Sequence, residues 1–248
     1  TGKAEYKNDE CAVACEPYSS WIIEADEKAQ KVIPFCSLDM GAKFVKSVLP
    51  YRERKVKILN GVHTMSVLAG YNAGFKIVRD MVNDETFKAY IDRGLNEEIL
   101  KTIDLDENEL KTFANSVLER FNNPFIDHKL LDISLNSVAK FKARCLCSLL
   151  DYYNKFEKVP SVLSFAFAAL INFYEDFENK DYPVNDVESV LDFFRNKHGD
   201  LVFDVLANVD FWGEDLTKID GLYEKVKGYF DSIKALGINK AMEKLLNE

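Results

Sequence analysis

From about residue 51 onward the apolar side chains return every three or four positions, the period that lines them along one side of an α-helix. The clearest stripe is Leu110, Phe113, Ala114, Val117, Leu118 and Phe121. Asp106 and Glu109 form a capping-box pair at its start, and Asn122-Asn123-Pro124 predicts its stop. Asn185 with Glu188 predicts a second start, for a helix carrying Val187, Val190, Leu191 and Phe194 and ended by Gly199. The stretch from Thr217 to Leu246 reads as one or two amphipathic helices around Gly237. Val162 to Tyr174 is the longest apolar run, broken by Ser164 and Asn172. It is too short for the roughly 20 residues that cross a bilayer, so it reads as a buried helix and no membrane partner is expected. The pattern predicts roughly nine or ten helices with short joints over residues 51–248. Residues 1–50 differ: Ala12-Val13-Ala14 and Trp21-Ile22-Ile23 are strand-like pieces broken by Pro17 and Pro34. An all-α, multi-helix domain behind a short non-helical segment is therefore expected.

Composition narrows the classes. With 47% hydrophobic and 29% charged residues over 248 positions, disorder and fibre are excluded. Lys and Arg number 32 against 41 Asp and Glu, a net charge of −9 that argues against the broad cationic face of a nucleic-acid binder. Five cysteines are an odd count in a core-bearing chain, so free thiols and a cytoplasmic setting are expected. The start, TGKAEYKNDE, has no apolar stretch of a signal peptide and no Met, and the chain reads as a piece of something longer.

Most familiar motifs fail. No glycine lies two residues from another, so the G-x-G-x-x-G of a dinucleotide site is absent from these residues. Gly70-x-x-x-Gly74 suggests close helix packing. Asp104-x-Asp106-x-Asn108 begins like a calcium loop, but Glu109 stands where Gly is required and Asn115 where the closing Glu should be. Cys11-x3-Cys15 and Cys145-x-Cys147 lack zinc spacing, and the three histidines form no H-E-x-x-H pair, so no metal is expected.

One segment remains, Tyr51 to Met65, which sets Lys55, Asn60 and His63 at Lys-x4-Asn-x2-His. On a single α-helix they would sit at roughly 0°, 140° and 80° around the axis, able to face one pocket. Oxidation of a secondary alcohol wants such a set: a base takes the hydroxyl proton while neutral donors hold the developing alkoxide. A lysine can act so only where its pKa falls from about 10.4 toward neutrality, and Arg52, Arg54 and Lys57 are near enough in sequence to help. By spacing alone the plainer alternative stands beside this one: a solvated basic face, with Asn60 as a cap and His63 in the core. His128 and His198 read as structural.

At these residues the chain resembles the polyol-specific long-chain dehydrogenases, a family that takes in mannitol dehydrogenases and hexuronate reductases. Lys55, Asn60 and His63 match its Lys-x4-Asn-x2-His pattern, and Leu68 to Gly74 is similar in wording. Glu16 to Glu24 looks like its Glu-Pro-aromatic segment, and Arg120 to His128 and Ile133 to Arg144 look most like its tagaturonate reductase (altronate oxidoreductase) branch. The resemblance implies an N-terminal Rossmann half that binds NAD and a helical C-terminal half that forms the substrate pocket, without metal. Residues 1–50 would then be the tail of the nucleotide-binding half, an α/β remnant, and residues 51–248 the substrate domain. It implies Lys55 as general base, Asn60 and His63 as partners of the reacting oxygen, and Lys140 as a second substrate-side lysine. Two departures stand out: Asp132 replaces the Arg of mannitol dehydrogenases, and Cys147 replaces a Pro.

A hexuronate keeps its carboxylate throughout, and Lys140 and Arg144, four apart on an expected helix, could pair with it. Solvated cations are the alternative for both. The expected function is interconversion of a keto-hexuronate and its hydroxy acid, tagaturonate and altronate-like. Fructuronate reduction or polyol oxidation stands second, and a non-catalytic helical association domain is the alternative from another class.

Overall fold

The computed structural model describes Cys11 and residues 18–32, 41–196 and 199–248. Two units pack separately, residues 1–53 and 54–248. The Ala12–Ala14 strand and His198 lie outside the described residues.

In the first unit β1 (Trp21–Glu24) and β2 (Ala42–Val45) run parallel, Trp21 opposite Ala42 and Glu24 opposite Val45. Parallel neighbours need a crossover, and the connection carries α1 (Glu27–Val32). This is a β-α-β arrangement, the α/β character expected of the segment. The helix α2 (Leu49–Lys55) leads out of this unit.

Among its described residues the regular elements of the second unit are helices: α3 (Gly61–Asn72), α4 (Val78–Asn83), α5 (Glu85–Arg93), α6 (Glu107–Phe121), α7 (Leu130–Ile133), α8 (Ser137–Phe141), α9 (Cys147–Phe156), α10 (Ser161–Tyr174), α11 (Glu188–Arg195), α12 (Leu201–Leu206), α13 (Val209–Trp212), α14 (Leu222–Leu236) and α15 (Ile238–Leu246). These exceed the nine or ten expected, because helices as short as α7 and α13 span too few residues for a hydrophobic period to register. At the centre runs α10, buried on nearly every side and packed against α3 and α14. Its Ser164 hydroxyl donates to the Pro160 carbonyl at 2.6 Å, so the apolar helix carries no unsatisfied hydroxyl there. Its open N-terminus is closed from afar: the Glu98 carboxylate accepts from the Val162 and Leu163 amides at 2.7 and 2.9 Å.

Several helix ends differ from the sequence expectation. Asp106 does cap α6, accepting from the Asn108 and Glu109 amides. Glu109 does not complete the box, since its carboxylate meets Arg54 at 2.5 Å. Before α11 it is Asp186, not Asn185, whose carboxylate accepts a backbone amide, that of Val187. Val187 occupies the cap, and the helix stops at Arg195, short of Gly199. Gly70 and Gly74 do different work. A side chain at Gly70 would collide with Met81, whereas Gly74 has φ +102 and ends α3. There the Phe75 and Gly74 amides donate to the Gly70 and Tyr71 carbonyls, a Schellman closure. Gly237 separates α14 from α15.

Three π turns interrupt the helices, at Val56–Asn60, Gly94–Ile99 and Lys142–Leu146. The first runs straight on into α3 within the second unit, with helical backbone at Lys55, Asn60 and Gly61.

Candidate active site

The first π turn changes the geometry of the Lys-x4-Asn-x2-His pattern. The Gly61 amide donates to the carbonyl of Val56, five residues back. In such a wider turn each residue advances less around the axis, so the offset of Asn60 from Lys55 is smaller than the α-helical one of roughly 140°. His63 follows in the first turn of α3. Exposure falls along this stretch: Lys55 is exposed, Asn60 is half-buried, and the Nε2 atom of His63 is fully buried.

The basic residues around Lys55 are not grouped on it. Arg54 pairs with Glu109 and lies over the Phe113 ring at 4.3 Å. Lys57 is buried, its ammonium donating to Asp151 at 2.7 Å and to the Thr102 carbonyl at 3.0 Å. The sequence expectation of cations gathered at Lys55 is corrected to that extent: two of the three have partners of their own, because a buried charge must be compensated.

His63 is the most constrained member. Its ring stacks on Phe121, centroids 3.9 Å apart and planes 10° from parallel. The edge-on ring of His128 lies 5.5 Å away. Burial, reinforced electrostatically by the neighbouring His128, Arg144 and Arg120, pushes the His63 pKa down to about 3, so the imidazole is neutral at physiological pH. Its Nε2 has no hydrogen-bond partner. A neutral imidazole with an open nitrogen can donate to a developing oxyanion, the role a neutral histidine plays where protonation is suppressed. It is a poor base.

Arg144 comes in from the third π turn and reaches the Thr64 hydroxyl, next to His63, at 3.4 Å. Lys140 sits in α8, before that π turn, so the two cations are not on one regular helix as expected. They remain neighbours: burial first, and then the Arg144 charge, lowers the pKa of Lys140, with Asp186 opposing. The Lys140 ammonium donates to the Ile133 carbonyl at 2.8 Å, at the end of α7. Asp132 is exposed. The second and first π turns meet the third at Gly61, where the Arg144 carbonyl, the Ile99 side chain and the Cys145 thiol converge.

The structure adds Phe121, Arg120 and His128 to this site. All three fall in the Arg120–His128 segment, where the sequence reads Phe121 as the end of an apolar stripe and His128 as structural. Stacking between α3 and α6 has no sequence period, so nothing in the chain alone tied them to His63.

Comparison with known proteins agrees with this architecture. Residues 47–234 match the sequence profile of the mannitol dehydrogenase C-terminal domain. The altronate oxidoreductase of Bacteroides thetaiotaomicron is 35% identical over 98% of this chain and 52% of its own length. That of Yersinia pestis is 36% identical over 92% of this chain and 49% of its own. Among solved structures, Pseudomonas fluorescens mannitol 2-dehydrogenase, in ternary complex with NAD and D-mannitol, superposes with a TM-score of 0.78 at 19% identity, over 94% of this chain and 48% of that one. A substrate-free D-sorbitol dehydrogenase gives 0.64 at 17% identity over 82% of this chain. The chain thus spans about half the length of the relatives it matches. It belongs to the mannitol dehydrogenase family of oxidoreductases, to whose C-terminal domain residues 47–234 correspond.

Proposed function

We propose that this chain is the substrate half of an NAD-dependent oxidoreductase that interconverts a keto-hexuronate and its hydroxy acid, a tagaturonate and altronate-like pair. The observation that carries the reading is the neutral His63, its enclosed Nε2 open, among the basic residues Arg120, Arg144 and Lys140 and beside His128. A neutral donor suits the reacting oxygen. The surrounding positive charge suits a substrate that carries a carboxylate through the reaction. The names of the relatives at about 35% identity support the same substrate class.

These residues fit the substrate end of such a reaction and not the dinucleotide end: they contain no glycine-rich phosphate loop, while His63 keeps an Nε2 with no partner that can donate to an alkoxide. NAD, when bound, accepts the hydride, and we assign its phosphates to an N-terminal Rossmann domain of the same protein. In oxidation Lys55 takes the hydroxyl proton, and in reduction it returns one. Asn60 donates its amide N–H to the same oxygen, and His63 donates from Nε2, so charge gathers on an oxygen already held by two neutral donors. Lys140 and Arg144 bind the carboxylate.

The test uses the full-length protein with NAD. Altronate oxidation should exceed mannitol oxidation in kcat/KM. Lys55→Ala should lower kcat by about 10²- to 10⁴-fold in both directions, with partial rescue by a small primary amine. Preference for mannitol would replace the uronate reading with polyol oxidation; near-normal kcat in Lys55→Ala would place the base elsewhere.

A further inference from the structure

The imidazole of His128 has no place in the family pattern of lysine, asparagine and histidine, and as a structural histidine it would be packed away. Instead it is exposed. Its backbone, by contrast, is held firmly: its carbonyl accepts from the Val78 amide at 2.9 Å, and the next residue, Lys129, bridges to Ile77. The loop that carries it starts at Asn122, just after Phe121 stacks on His63, and comes back to His63 at His128. Arg79 fixes the loop between these points, meeting Asp127 at 2.7 Å and the Asn123 carbonyl at 3.4 Å, while the Asn83 amide meets Asn122 at 2.9 Å. A short loop with so many ties presents one exposed polar ring at a fixed place beside the orphaned Nε2 of His63.

Ring centroids 5.5 Å apart and planes at 89° leave the two imidazoles unable to hydrogen-bond face to face, so neither satisfies the other. The open nitrogens of both are available to one small molecule, and a sugar acid of several carbons spans that separation. Arg120 and Arg144 act electrostatically on His63 as well, so an oxygen placed beside the two imidazoles meets positive charge, which is the chemistry of carboxylate recognition.

We infer that His128 is a specificity-determining residue that donates a hydrogen bond to the carboxylate of the substrate acid, with the Arg79 ties holding its loop beside His63. The inference rests on the hexuronate reading above and adds a residue that reads the acid group. The experiment measures kcat and KM of the full-length protein for a keto-hexuronate and for a neutral ketose of the same carbon count, in wild type, His128→Ala and His128→Gln. The expected result is a ten- to hundredfold loss of kcat/KM on the hexuronate in His128→Ala, carried by KM, with a several-fold smaller loss on the neutral ketose. His128→Gln, which keeps a donor, should recover part of the loss. Equal losses on both substrates would make His128 a mere support for His63 and overturn the inference while leaving the uronate reading standing. No loss on either would overturn it as well. A wild type that prefers the neutral ketose would overturn the uronate reading itself, and the carboxylate role with it.

Discussion

Gly61 lies against the backbone carbonyl of Arg144, so close that a Cβ at position 61 would sit 3.2 Å from that oxygen. The Cys145 thiol, one residue on, donates back to the Gly61 carbonyl at 3.4 Å. Two π turns, one ending in Asn60 and the other carrying Arg144, are thereby held backbone to backbone. The carbonyl that a Cβ at position 61 would meet belongs to the backbone and cannot swing away. Gly61→Ala should destabilise the chain by about 1–3 kcal/mol, the usual range for overpacking. It should also lower kcat of the full-length protein, because Asn60 and His63 flank the displaced residue. Denaturant midpoints and kcat both unchanged would show that the contact has slack.

His63 makes stability depend on pH. Its folded pKa is pushed down to about 3, whereas an unfolded histidine titrates near 6.5. Below about pH 6.5 the unfolded chain binds a proton that the folded chain refuses, so this residue's contribution falls as pH drops from about 6.5 toward 3. At pH 4.5 the loss is on the order of 3 kcal/mol relative to pH 8. Urea denaturation of wild type and His63→Asn at the two pH values isolates it, since other groups cancel in the comparison. The variant should lose less stability on acidification. Identical losses would mean that the ring takes up a proton without unfolding cost.

Glu98 gives the opposite sign. Burial raises its pKa, against the Val162, Leu163 and Ser161 amides and Lys225, which lower it. A raised carboxyl costs stability as pH climbs through and above the unfolded value of about 4.3, so mild acid favours the folded state at this residue. Removing the carboxylate is a separate matter, because the two amides that it accepts would be orphaned in a dry interior. Glu98→Ala should cost about 2–4 kcal/mol, read as a drop in Tm. A change within a few tenths of a kcal/mol would show that water replaces the carboxylate.

Amphipathic period marked α6, the paired helices about Gly237 and the buried run of α10, because each is a local pattern whose apolar side must find a core. The Lys55, Asn60 and His63 pattern was likewise legible as spacing. What spacing could not give was the π turn between Lys55 and Asn60, which lies against Arg144 and Ile99 at Gly61 and which narrows the offset between the first two members. Nor could it give the partners reached across the fold. Glu98 closes a helix 64 residues further along the chain, and the Asp186 carboxylate accepts from the Tyr174 hydroxyl of α10 at 2.5 Å. His128, which reads from sequence as a structural histidine, came to the edge of His63 only once the loop after α6 folded back. Periodicity is written in neighbours along the chain, whereas desolvation, orphaned donors and the charge around a buried imidazole arise from residues far apart in sequence, and only the folded chain brings them together.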